Sequence, residues 1–361
     1  MKVCVYAICK NESKFVERWV ESMREADGVY VLDTGSTDGT PELLASLGVN
    51  VHVEEIQPWR FDRARNRSLD LVPDDADICI CTDLDEVLHP GWRALLEAAW
   101  KPGTTRASYR YTWNFNPDGS EGCVFWTEKA HSRHGYHWTH PVHEILDWIG
   151  PGEEGNMVYV EGMQLDHHAD NSKPRSQYLP LLELSVLESP EDDRNMHYLG
   201  REYYFHSRWK EAIITLKHHL SLPSATWADE RCASMRYISR CYAALGDKDE
   251  ARRWLYRAVA EAPHLREPYI ELAEHFYNEE NWNGVVLFCQ EALQLRSRPR
   301  TYITEAASWG SLPWDLLSLG LFYTERYSEA LQAAQEAAKL SPTDERIAKN
   351  VRIMENMAKG L

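Results

Sequence analysis

The sequence predicts an α/β domain built on a mostly parallel, doubly wound sheet, followed by an all-α domain of helical repeats. Three observations carry this. Short apolar runs alternate with amphipathic segments over the first 85 or so residues. Helical periodicity is continuous from about Lys173 to the C-terminus. Prolines close successive helical segments at Pro223, Pro263, Pro299 and Pro342, at separations of 40, 36 and 43 residues. The expected domains are therefore residues 1–172 and 173–361, and a chain of 361 residues is long enough for two separate cores.

Residues 3–9 read as a buried strand, and Ser13 to about Glu25 as a helix with Phe15, Val16, Trp19, Val20 and Met23 on one face. Val29–Leu32 is a second strand. The run Asp33-Thr34-Gly35-Ser36-Thr37-Asp38-Gly39-Thr40 is turn chemistry, and Pro41 opens the next helix. A third strand spans 49–53, a helix lies around Arg63–Leu71, and Ile78–Cys81 is a fourth strand that runs into Thr82-Asp83-Leu84-Asp85-Glu86. In open parallel sheets, ligands bind beyond the C-terminal strand ends, where the Asp33 and Asp83 turns both fall. From about Arg106 to Trp148 the chain is rich in aromatics and histidine, with strand-like alternation in places, and Gly150-Pro151-Gly152 punctuates its end.

Behind Lys173, segments around Tyr198–Leu220, Met235–Ala260, Tyr269–Leu293 and Leu316–Leu340 each read as an antiparallel helix pair. Their spacing is close to the roughly 34-residue tetratricopeptide period. Ala212, Ala251 and Ala330 allow close packing, whereas the third unit has Gly284-Val285 in that place. Such solenoids present concave surfaces, so the acceptor, a protein partner or a second copy of the chain is the expected occupant.

Composition narrows the function. There are 56 acids against 39 bases, and residues 1–173 hold 29 of the acids but 16 of the bases. That field repels bare polyanions, and no basic stripe points to direct nucleic-acid binding. No apolar run approaches a membrane span, and the N-terminus enters a strand without a secretory signal, which places the protein in the cytoplasm as an expectation. The eight cysteines include no CxxC pair, which argues against structural disulfides and a zinc site. Cys79 and Cys81 share one strand face as small core residues.

Asp83-Leu84-Asp85 offers two carboxylates as the chain leaves a strand. Hard oxygen donors of this kind suit Mg²⁺ or Mn²⁺, which bridges a diphosphate and stabilises its departure. His131, His134, His137, His140 and His143 recur every third residue, a spacing that fits neither the helical nor the strand period, so they do not share one face.

These residues fall in an order that resembles the family 2 nucleotide-sugar glycosyltransferases of GT-A fold, especially bacterial members with C-terminal tetratricopeptide repeats. The match comprises Cys9-Lys10-Asn11-Glu12, Leu32 to Thr40, Ala64-Arg65-Asn66, Asp83-Leu84-Asp85-Glu86, Val142-His143-Glu144 and a later His167. The resemblance implies an inverting transfer from a nucleotide sugar, UDP-linked as first choice, to an acceptor hydroxyl or thiol. It implies that Glu12 and Asp33 hold the nucleoside, that Arg65 and Asn66 face the same edge, and that Asp83 lies on the ribose or sugar side. Asp85 would bind the metal, completed by one of two adjacent histidines, His167 by register or else His168, since His168 and Ala169 depart from the family pattern there. Glu144 would be the catalytic base. Asp38 instead stabilises its own turn, Glu86 stands behind the metal, and Lys129 and Arg133 could reach phosphate. Trp113, Trp126, Trp138 and Trp148 form an acceptor wall or a core.

Two other classes compete with this one. A nucleotidyltransferase would want a Gly-rich phosphate loop with a basic residue after the first strand, where Lys10-Asn11-Glu12 stands. A catalytically inactive repeat adaptor is opposed by the intact Asp33, Asp83, Asp85 and Glu144.

Overall fold

The computed structural model describes residues 1–116, 119–170 and 178–360. The expected boundary at 172/173 lies outside the described residues. Contacts divide the chain into two compact units, Met1–Glu188 and Ser189–Leu361.

The first unit opens with β1 (Val3–Cys9), α1 (Ser13–Ser22), β2 (Gly28–Asp33), α2 (Thr40–Ser46), β3 (Asn50–Val53), α3 (Phe61–Asp70) and β4 (Ile78–Asp83). It continues with β5 (Glu86–Leu88), α4 (Trp92–Ala99), β6 (Thr104–Thr112), β7 (Val124–Ser132), β8 (Tyr136–Thr139), β9 (Ile145–Trp148), β10 (Asn156–His167) and α5 (Tyr178–Glu188). Eight strands form one sheet in the order β3-β2-β1-β4-β7-β6-β10-β5, and β8 pairs with β9 separately. The block β3-β2-β1-β4 is parallel throughout. β7 is antiparallel to both β4 and β6, and β10 runs parallel to β6.

β1 is apolar at every position because it lies between β2 and β4 and is covered on both faces. Its residues Val3, Val5 and Ala7 pack with Val16, Trp19 and Met23. Cys4 and Tyr6 turn the other way, onto Leu69, Val72 and Trp138, together with Cys79 and Cys81 of β4. The helix containing Trp19 is further fixed by its indole, which donates to Thr82 Oγ1 at 3.1 Å. These two cores hold the ends of β1, β2 and β4 side by side, with Cys9 opposite Asp33 and Ile8 opposite Asp83.

The second unit consists of α6 (Asp193–Phe205), α7 (Trp209–Ser221), α8 (Ala228–Ala244), α9 (Lys248–Glu261), α10 (Glu267–Asn278), α11 (Trp282–Gln294), α12 (Ala306–Trp309), α13 (Leu312–Tyr323), α14 (Tyr327–Leu340) and α15 (Glu345–Ala358). The pairs α6/α7, α8/α9, α10/α11 and α13/α14 are the four predicted tetratricopeptide-like units, and Pro223, Pro263, Pro299 and Pro342 each follow the second helix. Each pair turns over three residues, the middle one left-handed: Ser207 (φ 58°), Gly246 (φ 86°), Glu280 (φ 55°) and Glu325 (φ 60°). Ala212, Ala251 and Ala330 are buried in the packing between helices. The third unit's larger Val285 is accommodated by Gly320 of α13, where a Cβ would lie 3.1 Å from the valine Cγ1.

Candidate active site

The acidic turn after β2 is internally complete. Asp33 is fully buried, and its Oδ1 accepts from the amides of Gly35 (3.0 Å) and Ser36 (2.8 Å). Its Oδ2 accepts from Ser36 Oγ at 2.5 Å and from the Cys9 thiol at 3.2 Å. Burial, then the Asp33 charge, pushes that thiol far above its ordinary value. The carboxylate thus shapes the loop that faces the sheet edge. Asp38 does the same on the other side of the turn, accepting from Thr40 Oγ1 (2.5 Å) and from the Ser13 amide (3.0 Å) at the start of α1. Glu12 is buried beside it, with its amide donating to Thr40 Oγ1 at 2.9 Å.

Beyond β4 the chain assembles a denser charge network. Arg65, projecting from α3 and almost wholly buried, reaches Asp83 Oδ1 at 3.0 Å and holds Glu144 through its Nε. Lys129 of β7 lies 3.5 Å from Asp83 and 2.6 Å from Glu86. Glu86 is sealed under these groups and accepts from the Asp83 amide (2.9 Å) and the Tyr111 hydroxyl (2.6 Å). It therefore fixes the Asp83-Leu84-Asp85 turn from below. Burial alone would raise the Asp83 pKa, but the charges of Arg65 and Lys129 win and hold it well below the usual carboxylate range.

Asp85 and His167 come together across 82 residues of chain because β10 pairs with β5, placing His167 opposite Glu86. His167 Nδ1 donates to the Trp113 carbonyl at 2.9 Å, which leaves Nε2 facing Asp85 Oδ2 at 3.4 Å. Burial would lower the His167 pKa, yet the hydrogen bond and charge of Asp85 raise it overall. His168 takes a different part: its amide donates to the Asp85 carbonyl at 2.8 Å, and its ring stacks on Phe115. The indole of Trp113, 49% exposed, stacks on His167 with centroids 4.6 Å apart.

A carboxylate oxygen and an imidazole nitrogen at this separation suit two neighbouring positions of one divalent ion, the rest being left to diphosphate oxygens and water. Around them, Asp83, Glu86 and Glu144 pair with the two cations Arg65 and Lys129, and with Asp85 beside His167 the carboxylates outnumber those two cations by two. A cation is the complement of such a pocket, and the residues fit the ion that the family resemblance implies.

Not every residue expected here joins the network. Asn66 instead clamps β8, accepting from the Trp138 amide (2.8 Å) and donating to the Trp138 carbonyl (2.8 Å). Arg133 bonds to the Val72 carbonyl and Asp74. Trp138 is buried and donates to the Tyr6 hydroxyl at 2.8 Å. That hydroxyl lies 2.7 Å from the buried His131, whose pKa burial lowers to about 4. Tyr111, which props Glu86, had no signal in the sequence beyond its place in an alternating strand.

Residues 4–139 match the profile of Glycosyl transferase family 2. They constitute a glycosyltransferase family 2 domain. The matched span holds Glu12, Asp33, Arg65, Asn66, Asp83 and Asp85, and stops before Glu144 and His167. No curated protein matches the chain. Solved structures similar to it include the APC/C hetero-tetramer Cut9–Hcn1, at 15% identity and TM-score 0.40 over 51% of this chain and 33% of that one. The C-terminal part of a TPR repeat-containing protein from Cytophaga hutchinsonii matches at 14% identity and TM-score 0.42, over 51% and 67%. MamA from Desulfovibrio magneticus RS-1 matches at 15% identity and TM-score 0.37, over 46% and 85%. This chain thus spans about a third of the Cut9–Hcn1 chain. Behind the family 2 domain, the second unit consists of helix pairs of tetratricopeptide-like order.

Proposed function

We propose that the first unit transfers a sugar, with inversion, from a nucleotide sugar to an acceptor hydroxyl or thiol, with UDP as the first-choice nucleotide. The family 2 domain supports glycosyl transfer from such a donor. The observation that carries the finer reading is the Asp85–His167 pair inside a pocket of excess negative charge. A bare diphosphate would be repelled there, so the donor enters with a divalent cation. The imidazole in the donor set favours Mn²⁺ over Mg²⁺. When bound by Asp85 and His167, the ion would supply Lewis-acid stabilisation of the leaving diphosphate.

The chain's own residues do the rest. Glu144 accepts the proton of the acceptor O–H or S–H as the acceptor atom bonds to the anomeric carbon. The sugar–phosphate C–O bond breaks, and its electron pair leaves with the diphosphate. Arg65 orients Glu144 and Asp83 together, and a planar guanidinium suits that double task. Trp113 offers an apolar wall for the sugar, while the Asp33-organised loop and Glu12 receive the nucleoside. In this reading Asp33 acts by shaping that loop.

Thermal-shift measurements with UDP, GDP and TDP, each with and without Mn²⁺, test the proposal. Metal-dependent stabilisation by one nucleotide, lost in Asp85→Asn, is the expected result. No stabilisation by any of them would favour the inactive adaptor.

A further inference from the structure

The second unit brings together a set of donor atoms that glycosyl transfer does not use. His219, in the last turn of α7, is fully buried. Its Nδ1 lies 2.9 Å from Ser234 Oγ, which lies 2.7 Å from His197 Nδ1. Among the described residues its Nε2 finds no partner at good hydrogen-bond geometry and faces Glu230 Oε1 of α8 only at an ion-pair distance of 3.4 Å. Glu230 is itself buried, and its Oε2 accepts from the Tyr302 hydroxyl at 2.7 Å. Asp193, in the first turn of α6, completes the group: donor atoms of Asp193, His219 and Glu230 all lie within 4.8 Å of one another.

Ser234 Oγ engages Nδ1, so Nε2 is the ring nitrogen turned to the carboxylates, that of buried Glu230 and that of Asp193 at the partly exposed start of α6. One imidazole nitrogen and two carboxylate oxygens, with a fourth position left to water, form a donor set for a zinc-like ion. We propose that Asp193, His219 and Glu230 bind a divalent transition ion of the zinc type, which ties the start of α6 to α7 and α8. The ligands stand 26 and 11 residues apart and include no cysteine, so neither spacing nor cysteine arithmetic exposes them.

The test uses the full chain carrying Asp85→Asn, so that the first unit's candidate ion site does not contribute. It is loaded with Zn²⁺ or Co²⁺, desalted and analysed for metal. The expected result is about one equivalent retained per chain, the visible bands of low-coordinate Co²⁺, and a melting temperature that falls on chelation. Asp193→Asn, a change at a partly exposed helix start, and Glu230→Gln should each weaken binding about tenfold or more. No retained ion and no cobalt bands would overturn the proposal, leaving His219 and Glu230 as a buried ion pair. So would metal content and spectrum that persist unchanged in both variants.

Discussion

At the residue scale, Glu144 is the sharpest point of the reading. Glu144→Gln preserves the shape beside Arg65 but removes the proton acceptor, so turnover should fall by about 10²- to 10⁴-fold. Nucleotide binding measured by thermal shift should be nearly unchanged. His131 gives a prediction of a different kind. It is buried and neutral, with its pKa lowered to about 4 from an ordinary 6.5. A histidine with a depressed folded pKa contributes stability that is present above the unfolded value and lost as pH falls toward the folded one. Melting temperature should therefore drop between pH 6.5 and about 4, by the equivalent of about 3 kcal/mol at most. His131→Asn should flatten that slope. Individual site residues were legible to different degrees. Asp83 and Asp85 are legible only through the buried strand before them and the Asp33 turn upstream, since most Asp-x-Asp triplets are plain solvated turns. Asn66 is the harder case: the structure gives its amide to the Trp138 backbone, a use that a side-chain amide serves as readily as a substrate and that residue type alone does not disclose. Asp33 was placed correctly at the edge, but its four hydrogen-bond partners come from folding of the loop, which no pattern of residue types discloses.

At the element scale, β1 to β4 and the four helix pairs could be read directly, because periods of 2 and 3.6 are local properties of sequence. β5 and β10 could not. The pairing that brings His167 opposite Glu86 depends on register between segments far apart in the chain, and β10 has its own irregularity between Tyr159 and Gln164. The helix-pair turns yield a paired test. Ser207, Glu280 and Glu325 sit in the left-handed region that glycine occupies without a Cβ penalty, while Gly246 already does so. Glu280→Gly should stabilise the protein by about 0.5–1 kcal/mol, and Gly246→Ala should destabilise it by about 1 kcal/mol, both read from denaturant midpoints. In the first unit, Trp19→Ala should cost about 3–5 kcal/mol, since it empties a core site and orphans Thr82.

At the scale of the whole molecule, each unit has its own apolar cores, in residues 3–165 for the first and 212–354 for the second. A chain ending at Glu188 is accordingly expected to melt cooperatively and to keep its Mn²⁺-dependent response to nucleotide, checked by circular dichroism and thermal shift. No helix among the described residues is long and apolar enough to cross a membrane. The excess of acids over residues 1–173 has a local counterpart at the candidate site, where Asp83, Asp85, Glu86 and Glu144 outnumber Arg65 and Lys129.

The ring of Trp113 lies flat against His167, half open to solvent. Since that imidazole is a proposed ligand, the protein carries its own optical gauge of occupancy: titrating in paramagnetic Mn²⁺ should dim a portion of the indole emission. Trp113→Phe should abolish that portion while the titration endpoint, followed by an independent probe, stays where it was.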